Sequence, residues 1–385
     1  MRVLCALWAD PSMYLATIFT SKLLSNRGIE VDIVYRMPNQ ELRVAGNIDF
    51  GDKATLHPIG GGHNGWRDKI DYVIYILKLL SMVWRKRPDV IIGYNKLGLL
   101  ASFLASQVSP KTRLIYHNYD FDIKHLQDVL GRCELVVARK ADLTIFPALG
   151  RSEEYKSIAG LKREPMSVLN CYSLSYQVKK TGELNRILKS KGFSFDRLVV
   201  RLGMIGPFHG IEATFRSMPK WKGNWGFIMA GFATENYLKE LNQLVEELGI
   251  GERVLILPSV SNSLWYDILS SGDLGISLYE PDPNNIGHNY MAGTSQKLNG
   301  YFVTGIPSIV PNTPEFISLV EQYGTSKLVD VSDPSSIAQA VNSFFGDNDE
   351  YDRYTKNVKT AFESEFNFEK QFEPVFKWLD SLKVK

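Results

Sequence analysis

Short apolar segments alternate with amphipathic segments along most of the chain. Residues 3–8 and 31–35 are apolar runs of strand length. Between them, apolar side chains recur with the spacing of a helix, at Tyr14, Leu15, Ile18, Phe19 and Leu23. This alternation continues to about residue 170 and predicts an α/β fold with a parallel sheet.

The remaining elements of the first half follow the same pattern. Further strands are predicted at residues 90–92, 114–116, 143–146 and 166–169, and helices at 66–84, 97–105, 126–141 and 152–158. Residues 36–65 are ambiguous and end in the glycine-rich stretch HPIGGGHNG. That stretch fits either a flexible connection or a loop that contacts phosphate, and it does not match a P-loop.

A change of pattern marks a domain boundary. Residues 171–196 lose their periodicity and become polar. The alternation then restarts, with strands predicted at 197–202, 225–230, 254–257, 274–278 and 308–310, and helices at 211–218, 235–248 and 264–269. We therefore predict two doubly wound domains, residues 1–172 and residues 173–366.

One stretch of the second domain has the features of an anion site. Thr294 or Ser295 is placed to cap a helix that has Lys297 in its first turn and ends at Gly305 and Pro307. Free N–H groups, the helix dipole and a lysine all favour negative charge at such a helix start. We expect the diphosphate of an activated sugar there; a capped helix without a ligand is the alternative.

Composition and charge narrow the class of protein. The chain has 385 residues, of which 44% are apolar, so it can bury a large core. The net charge of +2 conceals an asymmetry, because residues 1–175 hold 23 basic and 17 acidic side chains and the remainder hold 21 and 25. A basic first half suits a bilayer headgroup layer or a lipid-phosphate acceptor, although scatter would give the same difference. We expect no nucleic acid as a partner.

Cysteine usage and hydropathy indicate where the protein works. Cys5, Cys133 and Cys171 are far apart and odd in number, which favours a reducing compartment over a disulfide framework. No run of eighteen apolar residues and no signal peptide is present, so we expect a cytoplasmic protein. The helix at 66–84 has aromatic and basic residues at its ends, which fits peripheral contact with the inner face of a membrane or packing on a sheet.

Candidate acceptor-side residues follow the predicted strands of the first domain. Asp10 follows the first strand, and His117 ends another, just before Asp120 and Asp122. An imidazole at a strand end suits hydrogen bonding to a sugar hydroxyl or proton transfer, and a lone structural histidine is the alternative. The two aspartates are a weak metal signal because no further ligands cluster beside them, and we expect no metal.

Several common enzyme signatures are missing. No G-x-G-x-x-G follows a strand, and neither a Walker A motif, a G-x-S-x-G nor a CxxC occurs. A dehydrogenase, a P-loop kinase and a serine hydrolase are therefore disfavoured.

The order of motifs resembles the family-4-like glycosyltransferases of the GT-B fold. GMIGPFHGIEATF, FIMAGFAT, ERVLILPSVSNSLWYDILSSGDLGISLYEPD and SQKLNGYFVTGIPSIVPNTPEF resemble the donor domain, and VVARKADLTIFPALGRSEEYKSI resembles the end of the acceptor domain. The resemblance implies two Rossmann-like domains facing each other across a cleft. It also implies a last helix, residues 367–385, that packs back on the first domain. The implied activity is a retaining glycosyltransferase that uses nucleotide-diphosphate sugars.

The resemblance also assigns residue roles by position. Lys297 matches the lysine of the donor helix, beside the N–H groups of Ser295 and Gln296. The other donor-side positions are Gly206 near the phosphates, Gly231, Pro258 and Val260 near the base, and Glu280 near the ribose or sugar. On the acceptor side, His117 matches the histidine that faces the reacting sugar. No cofactor beyond the donor substrate is implied.

One departure from the family leaves two hypotheses open. The family commonly has a glutamate three residues after the lysine and another eight residues before that, and this chain has Gly300 and Ala292 there. Hydroxyl recognition would then fall to Glu280, Asp282 or Asn299. The first hypothesis is a glycosyltransferase of surface-polysaccharide synthesis acting on a glycan or lipid-linked acceptor. The second is a binding partner or regulatory subunit with impaired chemistry.

Overall fold

The chain forms two compact α/β units. The computed structural model describes residues 1–11, 14–37, 49–60, 65–119, 126–280 and 290–383. Unit 1 comprises Met1–Asn170 with Phe368–Lys385, and unit 2 comprises Cys171–Asn367. The sequence placed these boundaries at 172/173 and 366/367.

Unit 1 is built on a parallel sheet of seven strands in the order β3-β2-β1-β4-β5-β6-β7. Its strands are β1 (Arg2–Leu7), β2 (Glu30–Arg36), β3 (Ala54–Ile59), β4 (Val90–Tyr94), β5 (Arg113–His117), β6 (Leu143–Phe146) and β7 (Met166–Ser167). The described helices are α1 (Leu15–Asn26), α2 (Trp66–Lys86), α3 (Asn95–Ser106), α4 (Val129–Ala138) and α5 (Leu149–Ala159). The C-terminal helix also belongs to unit 1 and is numbered α14 (Phe368–Ser381) by its place in the chain. None of the helices that the structure describes is long and apolar enough to cross a bilayer.

Unit 2 has a parallel sheet of six strands in the order β10-β9-β8-β11-β12-β13. Its strands are β8 (Arg197–Leu202), β9 (Trp225–Gly231), β10 (Val254–Pro258), β11 (Leu274–Ile276), β12 (Ser308–Pro311) and β13 (Ser326–Val329). Its described helices are α6 (Glu183–Ser190), α7 (Ile211–Ser217), α8 (Glu235–Glu247), α9 (Asn262–Ser271), α10 (Gln296–Thr304), α11 (Pro314–Tyr323), α12 (Pro334–Gly346) and α13 (Asn348–Ser364). The two parallel sheets confirm the predicted α/β class.

The central strands are buried on both faces. Every residue of β4, β6 and β9 is buried. Helices cover both sides of each sheet, and strands in that position carry continuous apolar runs in place of alternating ones. This is why the short apolar segments of the sequence predicted these strands correctly.

The structure corrects the interpretation of residues 171–196 as a polar connection. That segment contains α6, which buries Leu184 and Leu188. The carboxylate of Asp267 fixes the start of the helix, because it accepts hydrogen bonds from the N–H groups of Gly182 and Leu184 at 2.9 and 2.7 Å. An eight-residue helix has only two buried positions, which is too few for periodicity to reveal.

Candidate functional site

The sheet of unit 2 reverses its winding direction between β8 and β11. The chain runs from β8 outward to β9 and β10, and then from β11 outward to β12 and β13. Ligands of open α/β sheets bind at such a switch point, at the edge where the strands end. Loop 203–210, residues 277–280 and the start of α10 follow the strands at this edge and form the candidate site.

A hydroxyl network holds the start of α10. Ser295 caps the helix, since its Oγ accepts a hydrogen bond from the Leu298 N–H at 3.2 Å. That Oγ also lies 2.8 Å from the Tyr279 hydroxyl and 3.1 Å from the Ser277 hydroxyl. The predicted cap and the predicted helix stop are both confirmed, because Gly305 ends α10 in the left-handed conformation. The first-turn N–H groups of Gln296 and Lys297 have no acceptor within the helix.

Lys297 is buried although it carries a charge. Its side chain is 8% exposed, and its Nζ lies 4.6 Å from the centre of the Tyr279 ring. A Cβ atom at Gly203 would come within 3.4 Å of that Nζ, so the ammonium lies against the end of β8. Burial lowers the pKa of Lys297. Among the described residues it forms no ion pair with a carboxylate.

Arg201 is a second buried cation, and sequence reasoning missed it. It lies on β8 and is 0% exposed. One terminal nitrogen donates to the Met204 carbonyl at 2.7 Å, but Nε and Nη1 have no hydrogen-bond partner in the described part of the chain. Burial lowers the pKa of Arg201, and Arg201 in turn contributes to the lowered pKa of Lys297. We call the group formed by Arg201, Lys297 and the N–H groups at the start of α10 the anion site, after its predicted ligand.

Acidic and hydroxyl groups lie beside the anion site. Glu280 directly follows Tyr279, and its N–H donates to the Phe208 carbonyl at 2.9 Å. Burial, together with the nearby Glu212 carboxylate, raises the pKa of Glu280. Glu212 itself accepts a hydrogen bond from the Tyr237 hydroxyl at 2.5 Å. These groups have the chemistry that recognises sugar or ribose hydroxyls, which is the role that the resemblance implies for Glu280.

Two loops at the same edge carry backbone strain. Phe208 in loop 203–210 has φ 63°, and Ser259 has φ 59° between Pro258, which ends β10, and Val260. Left-handed backbone at a residue other than glycine is costly and is concentrated at functional sites. The placement of Pro258 and Val260 at the edge is therefore compatible with the base-binding role, which stays a prediction.

Gly231 is required by its surroundings. It has φ 150°, and a Cβ atom there would lie 1.9 Å from the carbonyl oxygen of Gly203. At Gly206, in contrast, the nearest side-chain atom to an added Cβ would be 3.8 Å away. Gly231 thus allows β9 to approach the loop that borders the anion site, whereas Gly206 leaves space beside it.

These two glycines give a matched pair of variants. Gly231→Ala should lower the free energy of unfolding by about 2–3 kcal/mol, because the methyl group meets backbone that cannot yield cheaply. Gly206→Ala should change it by less than about 0.5 kcal/mol and should weaken nucleotide binding instead. Urea unfolding and calorimetry separate the two effects, and equal losses of stability would contradict this account.

In unit 1, His117 ends β5 and is buried among aromatic rings. It is 1% exposed, and its ring centre lies 5.4 Å from that of Tyr94 and 4.8 Å from that of Tyr119. Burial lowers the pKa of His117 to about 3. Its Nε2 has no hydrogen-bond partner in the described residues. A neutral imidazole favours hydrogen bonding to a hydroxyl over proton abstraction at neutral pH.

The lowered pKa of His117 predicts how stability changes with pH. The unfolded chain takes up a proton below about pH 6.5 while the folded protein does not, so stability is complete above that pH and falls as the pH decreases towards 3. Between pH 7.5 and 5.5 this contribution should fall by roughly 1 kcal/mol. The free energy of unfolding of His117→Phe, measured with urea, should lack this part of the pH dependence. Identical pH dependence in the two proteins would show that His117 is not buried as a neutral group.

Of the other two predicted acceptor-side residues, the structure describes Asp10 but not Asp120. Asp10 lies just beyond β1, two strands from His117 at the edge where the strands of unit 1 end. Asp120, like Asp122 and Asp282, lies outside the described residues. Within the described ranges, no group of three or more His, Cys, Asp or Glu side chains could hold a metal ion.

Gly300, where the resembled family commonly has a glutamate, packs against the core of unit 2. A Cβ atom at Gly300 would lie 3.1 Å from Leu269 of α9, so this glycine faces a side chain of the core. Asn299 is also buried, and its side-chain amide donates to the Gly293 carbonyl at 3.3 Å.

Comparison with solved structures establishes the fold. HepE from Anabaena in complex with UDP and glucose has a TM-score of 0.72 at 16% identity, over 99% of this chain and 100% of that chain. Sucrose-phosphate synthase from Thermosynechococcus elongatus gives 0.70 at 15% identity, over 100% and 99%. The lipopolysaccharide outer core galactosyltransferase WaaB gives 0.64 at 13% identity, over 99% of each chain. No protein-family model and no curated protein matches the sequence. The fold is that of the GT-B glycosyltransferases.

Proposed function

We propose that the protein transfers a sugar from a nucleotide-diphosphate sugar to a hydroxyl group of a glycan or lipid-linked acceptor. The observation that carries this proposal is the pair of buried cations, Lys297 in the first turn of α10 and Arg201 on β8. Burying a charge without a counter-ion costs several kcal/mol, so folded proteins seldom keep one without a functional reason. A diphosphate would neutralise both side chains, and its oxygens would accept hydrogen bonds from the N–H groups at the start of α10.

The charges fit the chemistry of sugar transfer. Breaking the bond between the anomeric carbon and the phosphate oxygen leaves a new negative charge on the diphosphate. Lys297, Arg201 and the helix start are placed before the reaction to stabilise that charge. The acceptor oxygen attacks the anomeric carbon from the face that the phosphate leaves, and the departing phosphate oxygen takes its proton. This sequence retains the anomeric configuration and uses no protein nucleophile.

Two observations support a nucleoside diphosphate as part of the donor. Among the similar structures, HepE binds UDP and UDP-glucose. In this chain the loops at Gly231 and at Pro258 to Val260 follow β9 and β10. Strand β9 pairs with β8, which carries Arg201, and β10 pairs with β9. We therefore propose that the base binds at these loops and that Glu280 contacts a ribose or sugar hydroxyl.

The acceptor side is proposed from unit 1. His117 supplies a neutral, unpaired Nε2 for a hydroxyl group. The basic first half of the chain supports an acceptor at the inner face of a membrane, such as a lipid-linked intermediate of surface-polysaccharide synthesis. WaaB, whose fold is similar, is named for transfer to a lipopolysaccharide core.

A second candidate is a binding partner that has the fold without turnover. It is favoured by Gly300 and Ala292, which leave the two positions of the family glutamates without a carboxylate. Incubation of the protein with labelled nucleotide sugars and a panel of glycan and lipid-linked acceptors distinguishes the two candidate functions. Transfer with a retained anomeric configuration supports the enzyme. Tight nucleotide binding with no release of sugar from any donor supports the partner.

A further inference from the structure

Helix α2 exposes an apolar stripe on its outer side. Its inner side packs on the core through Tyr75, Leu79, Met82 and Val83. The exposed large side chains are Trp66, Ile70, Val73, Ile74, Leu77 and Trp84, and the two tryptophans are 67% and 62% exposed. At 100° per residue, all six fall within an arc of roughly 100° that runs the length of the helix, about 31 Å. We define these six residues as the α2 stripe.

Exposed positive charges border the stripe. Arg67, Lys78 and Arg85 follow one border of the arc, and Lys69 lies near the other. The two acidic residues of the helix, Asp68 and Asp71, are only half-exposed. Asp68 is neutralised by an ion pair with Arg36 at 2.7 Å. The outer side of α2 is therefore apolar in the middle and positive at both borders.

The neighbouring helices extend the surface. The connections β3-α2-β4, β4-α3-β5 and β5-α4-β6 all cross the sheet in the same direction, so right-handed crossovers place these helices on one face. Helix α3 packs against both α2 and α4. Exposed apolar side chains continue across them at Leu104, Val129, Leu130 and Val136.

This surface meets the edge of unit 1 that holds His117. Helices between parallel strands run opposite to the strands, so α2 and α4 start at the edge where the strands end. Trp66 and Val129, the first residues of α2 and α4, therefore lie towards that edge. A molecule held at the surface could present a hydroxyl group to the same edge.

We infer that the α2 stripe, with the exposed apolar residues of α3 and α4, docks unit 1 on an anionic lipid bilayer. A long helix with tryptophans near both ends, aliphatic residues between them and basic borders matches an interfacial helix that enters the boundary between headgroups and acyl chains. The basic residues add attraction to anionic lipid that salt weakens. The inference uses no residue of the anion site, so it stands or falls separately from the proposed function.

The test is sedimentation of the full chain with vesicles of phosphatidylcholine alone and of phosphatidylcholine with 30% phosphatidylglycerol. The protein should bind the anionic vesicles, and binding should fall at high salt. Trp66→Gln/Leu77→Gln/Trp84→Gln should lower the partition coefficient at least tenfold, and Arg67→Glu/Lys78→Glu should lower it for anionic vesicles only. The five side chains are exposed, so these variants should fold as the wild type does.

The control carries the same change of charge on unit 2. Lys189→Glu/Lys239→Glu replaces two exposed lysines there and should bind vesicles nearly as the wild type does. Absence of wild-type binding, or equal binding by all variants, would overturn the inference. If the wild type binds no vesicles but forms a dimer, and the triple glutamine variant is a monomer, the inference is overturned. The α2 stripe would then bind a second copy of the chain.

Discussion

Replacing Lys297 with methionine is expected to lower kcat about 10²- to 10³-fold while the protein becomes no less stable. The loss of rate is the usual effect of removing one preorganised group that stabilises charge in the transition state. The stability follows from burial, since Lys297 is held out of water and is in no ion pair found among the described residues. Its hydrogen-bond partner, the Tyr279 hydroxyl, keeps a second partner in Ser295 when the lysine is removed. Methionine keeps the volume and removes the cost of burying the charge. Steady-state kinetics with the preferred donor and urea unfolding measure the two effects.

Lys327 provides the matched control for Lys297. Its Nζ also lies over an aromatic ring, 4.7 Å from the centre of Phe344, but it pairs with Glu350 at 2.5 Å. Lys327→Met should therefore lower stability, because Glu350 loses its closest cationic partner and keeps only Ser343 and Arg353, and should leave kcat unchanged. If Lys297→Met instead loses stability and keeps its turnover, Lys297 is a structural residue and the anion site is misassigned.

Replacing Arg201 with methionine is expected to weaken nucleotide diphosphate binding about 10- to 100-fold. Two unit charges about 8 Å apart interact by about 2 kcal/mol at an effective dielectric constant of 20, which corresponds to roughly 30-fold in affinity. The free energy of unfolding should stay constant or rise, because two of the guanidinium nitrogens are buried without an acceptor. Arg201 would then be a residue that sets the charge of the site and holds the Met204 carbonyl.

Arg253 is the control for Arg201. Its guanidinium donates to the carbonyl oxygens of Trp225, Met218 and Gly223 at 3.1 to 3.2 Å, so its hydrogen bonds are satisfied within unit 2. Arg253→Met should destabilise the fold and leave the affinity of the folded protein unchanged. A loss of stability in Arg201→Met as large as in Arg253→Met, with unchanged affinity, would show that Arg201 serves only the fold.

The elements that the sequence predicted are those with strong local signals. Helix α10 has a serine cap, an apolar face and a glycine stop, and all three act within a few residues. Strand β3 was left within an ambiguous region because it lies at the edge of the sheet and exposes Thr55 and Leu56. A strand that is covered incompletely has neither a continuous apolar run nor a clean alternation.

The candidate site was predictable where a residue acts with its own neighbours in sequence. Ser295, Gln296 and Lys297 form a helix start that local rules describe. Arg201 was missed because an arginine in an apolar strand gives no sign of which way it faces. Its burial depends on loop 203–210 and on Tyr279, which is 78 residues away. The environment of His117 likewise depends on Tyr94 of the adjacent strand.

Calorimetric titration of the full chain with UDP, GDP, ADP, CMP and dTDP, without added metal, tests the central claim most directly. We expect one nucleoside diphosphate to bind with a stoichiometry of one, and its affinity to fall in both Lys297→Met and Arg201→Met but not in Lys327→Met. If the folded protein binds none of the five nucleotides, or if all variants bind with the same affinity as the wild type, the buried cations do not form a nucleotide site. Either result contradicts the proposed function.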